Sequence, residues 1–251
     1  MIQEYLFQLD SRAAAQVVTL IGGLAALVHY FFPRRSANKW GLQANDPIVL
    51  WFVERTALVN IQTAFACFLM FFYNVGALDA VNSVFVSWAL DSLYTALFTT
   101  IPGGNNAMHK RGYWINFALG STTIALKYLD HFLRNNLAKF AMGWVLFNGL
   151  IFSLLPRYGL YQLGLPCDKK GYYEALLRIH GGSLMQLAAF AFLMLIGMDA
   201  KQALSRAMML QFLQIFFSQY VLHEGEKLGF DREARSFWIL LYIPAISSLW
   251  V

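Results

Sequence analysis

Long apolar runs separated by short polar segments dominate this chain and constrain it more than any motif. About 20 apolar residues are needed to cross a hydrocarbon core of roughly 30 Å. Candidate spans fall at 13–32, 50–73, 81–101, 113–133, 139–156, 174–197, 201–222 and 236–251. The runs are about twice the length of a barrel strand and lack strict alternation, which argues against a β-barrel. Charged residues make up 13% of the chain, about half the ~25% of a soluble domain. With 22 Phe, 12 Tyr and 7 Trp to bury, neither a soluble globule nor a disordered chain fits. The expected fold is all-α: a polytopic integral membrane bundle of about eight transmembrane helices. The fifth span is about 18 residues long and the eighth about 16, with Trp250 near the chain end as an interfacial anchor.

The connections alternate in length, and the long ones cover 33–49, 102–112, 157–173 and 223–235. Eleven Lys and Arg lie in the long set, against five on the opposite face. By the positive-inside rule the long basic loops are cytoplasmic and both termini lie on the opposite side. The same rule explains the net charge of +5 without a nucleic-acid partner. The N-terminus MIQEYLFQLDSR has acids, no basic n-region and no cleavage site, so no removable signal peptide is expected. Cys67 falls in a span and Cys167 in a loop, so both are expected as free thiols.

The chain carries an internal duplication. Residues 31–60 and 154–183 match without a gap at Pro33/Pro156, Arg34/Arg157, Gly41/Gly164, Leu42/Leu165 and Arg55/Arg178, all at an offset of 123. Further matches follow in order: Gln62/Gln186 at 124, Asp79/Asp199 at 120, and RGYWI at 111–115 against RSFWI at 235–239. This predicts two tandem four-helix repeats, residues 1–136 and 137–251, within one membrane-embedded domain. Four is even, so the repeats run parallel, and their interface is a natural place for a cavity. Economical construction of a bundle would give the same pattern.

Ionisable groups at depth cost ~2.5–3.5 kcal/mol at the bilayer centre, so each needs a reason. Asp91 lies halfway along the third span and shares a helix face with Ser87, Tyr94, Thr95 and Phe98. Its counterpart at an offset of 120 is Gln211, and that of Tyr94 is Gln214. These stripes are expected to face inward, with Lys127 either pairing with Asp91 or snorkelling outward beside Asp130. A ligand site would then consist of Asp91, Tyr94, Gln211, Gln214 and Lys127. A second set, His29, Glu54, Arg55, Arg178 and His180, lies near the cytoplasmic interface. Glu54-Arg55, Glu174-Arg178 and His223-Glu224 read there as surface ion pairs, with anion capture by Arg55 and Arg178 as the alternative, and Asp130-Arg134 reads as an i,i+4 pair near the opposite surface.

No HExxH, GxSxG, P-loop or aspartate-rich metal motif is present, so no metal site is expected and no catalytic residue stands out. Helical Gly-Gly pairs such as Gly22-Gly23 and Gly181-Gly182 read as close-packing positions. The leading reading is non-enzymatic: a polar intramembrane site between two repeats that binds or transports a small or lipid-like ligand. One alternative is an enzyme of lipid or isoprenoid metabolism using the interfacial His/Glu/Arg set. A second is a structural subunit of a membrane complex, or a homo-oligomer, carrying haem or chlorophyll on histidine. Membrane lipids are expected partners in every case.

Overall fold

The computed structural model describes residues 11–101, 104–126, 131–167 and 171–229, together with 242 and 246. Among the described residues it is all helical, without a strand. The long helices are α1 (Ser11–Phe31), α3 (Pro47–Tyr73), α4 (Ala77–Phe98), α5 (Asn106–Ala125), α6 (His131–Leu154), α8 (Tyr172–Leu195) and α9 (Ala200–Phe216). Shorter helices α2 (Pro33–Lys39), α7 (Pro156–Gln162) and α10 (Glu224–Leu228) lie in the long connections, and a π-helical turn, Phe217–Val221, extends α9. Among the described residues, four helices are long and apolar enough to cross a membrane: Arg12–Phe31, Pro47–Tyr73, Phe132–Leu154 and Tyr172–Leu195. They support an integral membrane protein.

Local chemistry sets the helix ends. Asp46 caps α3 by accepting from Ile48 N at 2.8 Å, with Pro47 in the first turn where a missing N–H costs nothing. Asn105 caps α5 through Met108 N, and Asp199 caps α9 through Lys201 N and Gln202 N. Hydropathy does not register such polar first turns. The fourth span, expected at 113–133, is therefore a helix that begins at Asn106 and closes at Ala125. The fifth, expected to be about 18 residues, is α6 with 24.

Two junctions share one geometry. α1 breaks at Phe32 (φ −128°, ψ 56°) before Pro33, and α6 breaks at Leu155 (φ −125°, ψ 58°) before Pro156. Proline cannot donate to the preceding turn, so the helix stops and restarts at a new angle. Each short helix then closes on a left-handed glycine, Gly41 at φ 70° and Gly164 at φ 67°. Behind each glycine, Leu42 N donates to Ala37 O at 2.9 Å and Leu165 N to Leu160 O at 2.8 Å. This is a six-to-one closure that favours glycine.

Helices α3 and α8 form the centre and pack on each other, with α1 against α3, α6 and α9 against α8, and α5 against α4. One core cluster joins α3, α4, α6, α8 and α9 around Phe85, Met142, Phe190 and Leu204. A second, around Val49, Phe52, Leu160 and Leu177, seats the short helices. The Gly-Gly pairs behave unequally. A Cβ on Gly181 would meet Gly149 O at 2.8 Å, which marks a close α6–α8 approach, whereas one on Gly22 would meet nothing within 4 Å.

Candidate functional site

An open groove of about 240 Å³ runs between α1 and α9, floored by α3 and α8. Helices α1 and α9 touch only sparsely, which leaves the gap between them. Along α3 the lining extends from Phe52 to Cys67, roughly 22 Å at 1.5 Å per residue. Its walls are chiefly apolar, with Ala25 and Ala26 on one side and Met208 and Ile215 on the other. Polar side chains enter from all four helices: Thr19, Asn60, Thr63, Gln186, Gln211 and Gln219. Tyr242 also lines the groove and donates from its hydroxyl to Gln211 Oε1.

Gln211 is held from both sides, since its Nε2 donates to Ser183 Oγ at 3.1 Å. Gln214 turns toward α8 instead and donates from Nε2 to Arg178 O at 2.8 Å. The π-helical turn then brings Ser218 and Gln219 inward as consecutive buried residues, while Phe217, Tyr220 and Val221 stay exposed. A π-turn carries an extra residue per turn and recurs at functional sites. Gln219 is 6% exposed, and its Oε1 has no hydrogen-bond partner among the described residues.

Asp91 does not join the glutamines. It pairs with the Arg55 guanidinium across α3 and α4, and Thr95 Oγ1 donates to the same carboxylate oxygen at 3.4 Å. Sequence reading placed Arg55 with Glu54, but adjacent residues on a helix point apart. Tyr94 is 58% exposed and leans on Phe98, itself exposed, so the tyrosine faces outward rather than toward the glutamines. Three residues on a helix of 3.6 per turn set the two side chains about 60° apart, so the expected shared face is split at its edge, Asp91 inward and Tyr94 outward. Lys127 and Asp130 lie outside the described residues, as do most of the eighth span and its Trp250.

Around Arg55 the interior is aromatic. Trp51 approaches His109 at 5.6 Å and His180 at 6.4 Å between ring centroids, and His109 meets Tyr113 at 4.8 Å. His109 Nδ1 lies 3.0 Å from Leu163 O, which can only accept, so that nitrogen carries the proton. His180 Nδ1 lies 3.3 Å from Thr56 Oγ1 and its ring stacks on Phe152.

The expected interfacial pairs are redistributed. Arg178 pairs with Glu224 at 2.6 Å, Glu174 with Arg157 at 2.8 Å, and His223 with Glu226 at 3.8 Å. Glu224 is only 1% exposed and accepts from Ser218 Oγ at 2.6 Å, so this ion pair is internal. Arg134 donates to Asn82 Oδ1 at 3.1 Å. His29 instead lies 2.9 Å from Ser36 Oγ and contacts Trp40. Among the described residues, no hydrogen bond or ion pair joins His29 or Glu54 to Arg178 or His180. There is likewise no group of three or more His, Cys, Asp and Glu that could hold a metal ion. The enzyme reading therefore gains no assembled acid–base group.

Sequence reading did not single out Gln219 or the partnership of Glu224 with Arg178. The available signal was weak: Gln219 lies four and eight residues after Ile215 and Gln211, a same-face helical spacing, and all three line the groove. No family model matches the chain, and neither curated proteins nor solved structures give a match.

Proposed function

We propose that this is an eight-span membrane protein of two tandem four-helix units that binds a lipid-like ligand in the groove between them. The groove is the observation that carries the reading. Under this division, α1 and α3 come from the first unit and α8 and α9 from the second, so the site falls at their interface. Binding of the same ligand is also the first step of any transport through the site.

The duplication draws support from matched junctions and from reciprocal contacts. The left-handed Gly41 abuts Gly229, where an added Cβ would come 3.1 Å from the carbonyl oxygen. The left-handed Gly164 abuts Asn105, whose N–H donates to Gly164 O at 2.6 Å. Asn105 and Gly229 are themselves 124 residues apart, so each unit sets its glycine turn on the same connection of the other. Beyond the four most apolar helices, α4 exposes Leu90, Leu97 and Phe98, and α9 exposes Leu213 and Phe216. Acyl chains, not water, suit such surfaces.

A binding test follows from Gly22, which faces the groove with room beside it. Gly22→Trp is expected to fill the groove while leaving the helix packing intact. Native mass spectrometry of the purified chain should show retained lipid that the variant loses. Equal retention by a folded variant would overturn the reading.

Topology is tested by thiol labelling. Both cysteines are free, Cys67 buried and Cys167 exposed in a long basic connection. A membrane-impermeant maleimide is expected to label Cys167 only from the cytoplasmic face, and Cys67 only after denaturation. Labelling of Cys167 from the opposite face would reverse the orientation.

A further inference from the structure

We infer that the groove selects an uncharged lipid carrying a hydroxyl group, whose O–H donates to Gln219 Oε1. The inference rests on the groove being a lipid site and specifies what that site accepts.

Charge is the first criterion. Among the described residues that line the groove there is no Lys, Arg, Asp or Glu. The nearby internal charges are already paired, Arg55 with Asp91 and Arg178 with Glu224. A phosphate or carboxylate headgroup would find no Lys or Arg among the described lining residues, only the imidazole of His29, which already meets Ser36 Oγ, and an unpaired charge in an apolar setting is strongly disfavoured. A quaternary ammonium headgroup would find no anion. Neutral lipids bear neither cost.

Hydrogen bonding is the second criterion. A buried carbonyl oxygen without a donor costs free energy unless an incoming group supplies one. Gln219 Oε1 is such an oxygen, on a side chain that lines the groove. An alcohol can satisfy it, whereas an ether, ester or ketone of the same shape has only acceptors. The apolar walls take the hydrocarbon; Asn60, Gln186 and Gln211 also line the groove, and the buried, partnerless oxygen of Gln219 is the one that favours a hydroxyl donor.

Three single-chain probes of matched length test the point: oleyl alcohol, oleyl methyl ether and oleyl phosphate, each titrated against the full chain in nanodiscs. The alcohol is expected to bind about three- to tenfold more tightly than the ether, the worth of one hydrogen bond, and more tightly still than the phosphate. Gln219→Leu should erase the preference for alcohol over ether and retain binding of the apolar chain. Gln219→Met, closer in shape, serves as the second variant. Gly22→Trp should abolish binding of all three. If the phosphate binds as well as the alcohol and Gly22→Trp removes both, the selectivity is overturned while the lipid groove stands. An alcohol preference that survives both Gln219 variants overturns the role of Gln219. If no probe responds to Gly22→Trp, the groove reading itself falls.

Discussion

Asp91→Ala is expected to destabilise the folded bundle by about 3–5 kcal/mol, the usual cost of removing one member of a buried ion pair. The Arg55 and Asp91 side chains are 11% and 16% exposed, so loss of the carboxylate strands a guanidinium between α3 and α4. That guanidinium already has its Nε without a partner among the described residues, and the aromatic rings nearby cannot replace a carboxylate. Arg55→Ala should cost a similar amount for the mirror reason, because an unpaired carboxylate would remain at depth. The double replacement Arg55→Met with Asp91→Leu should recover most of the loss, since it removes both desolvation costs together. Unfolding in mixed detergent–denaturant micelles measures all four chains. Near-additive single effects, or single losses below about 1 kcal/mol as for an exposed pair, would mean that the two charges are not coupled in the interior. Asp91 thus acts as a structural partner of Arg55, and ligand binding in the groove should persist in a folded Asp91→Asn chain.

Gly164→Ala is expected to be the most damaging single-methyl addition, and Gly41→Ala supplies its internal control. Both glycines have nearly the same positive φ, so alanine incurs the same left-handed strain at each, about 1–2 kcal/mol. Their surroundings differ. At Gly41 the new Cβ would lie 3.1 Å from Gly229 O, which a small shift relieves. At Gly164 it would run into the Asn105 carbonyl oxygen and come within 3.3 Å of His109 N. The same residue, Asn105, donates its N–H to Gly164 O and caps α5. Relief of the clash therefore disturbs a cap, a backbone hydrogen bond and the seat of α5 together. Overpacking of this kind adds roughly 1–3 kcal/mol, so Gly164→Ala should be worse than Gly41→Ala by that margin. Thermal unfolding in detergent compares the two directly, and equal losses would show that strain alone, without the Asn105 contact, sets the cost.

The helices were legible in outline because bilayer length and apolar composition leave a chain few options. Seven of the eight expected spans coincide with helices among the described residues, and the short helices α2 and α7 each begin at a proline visible in the sequence. Their ends were less legible. Capping by Asp46, Asn105 and Asp199 draws polar residues into the first turns, where hydropathy registers only polarity. The candidate site was half legible. Gln211 does line the groove, and so does Gln186, which sequence matching aligns with Gln62 at an offset of 124. Asp91 was recognised as needing a partner, but Arg55 is 36 residues away on another helix. Proximity in sequence favoured Glu54 for Arg55, which failed on side-chain direction, and Glu174 for Arg178, which share a helix face but pair instead with Arg157 and Glu224.

Sequence alone determined the class of the molecule: too few charges, too many aromatic residues and apolar runs of bilayer length leave little besides a helical membrane bundle. It also determined where two prolines and two glycines turn the chain, because their restrictions are local to the backbone. Tertiary structure decided which internal charges neutralise each other, which face of α4 is inside, and where the bundle stays open. Those outcomes depend on how each helix is rotated about its axis against its neighbours, which local sequence does not fix. Side chains far apart in the sequence compete for the same buried partner, and only the packed arrangement of α3, α4, α8 and α9 resolves that competition.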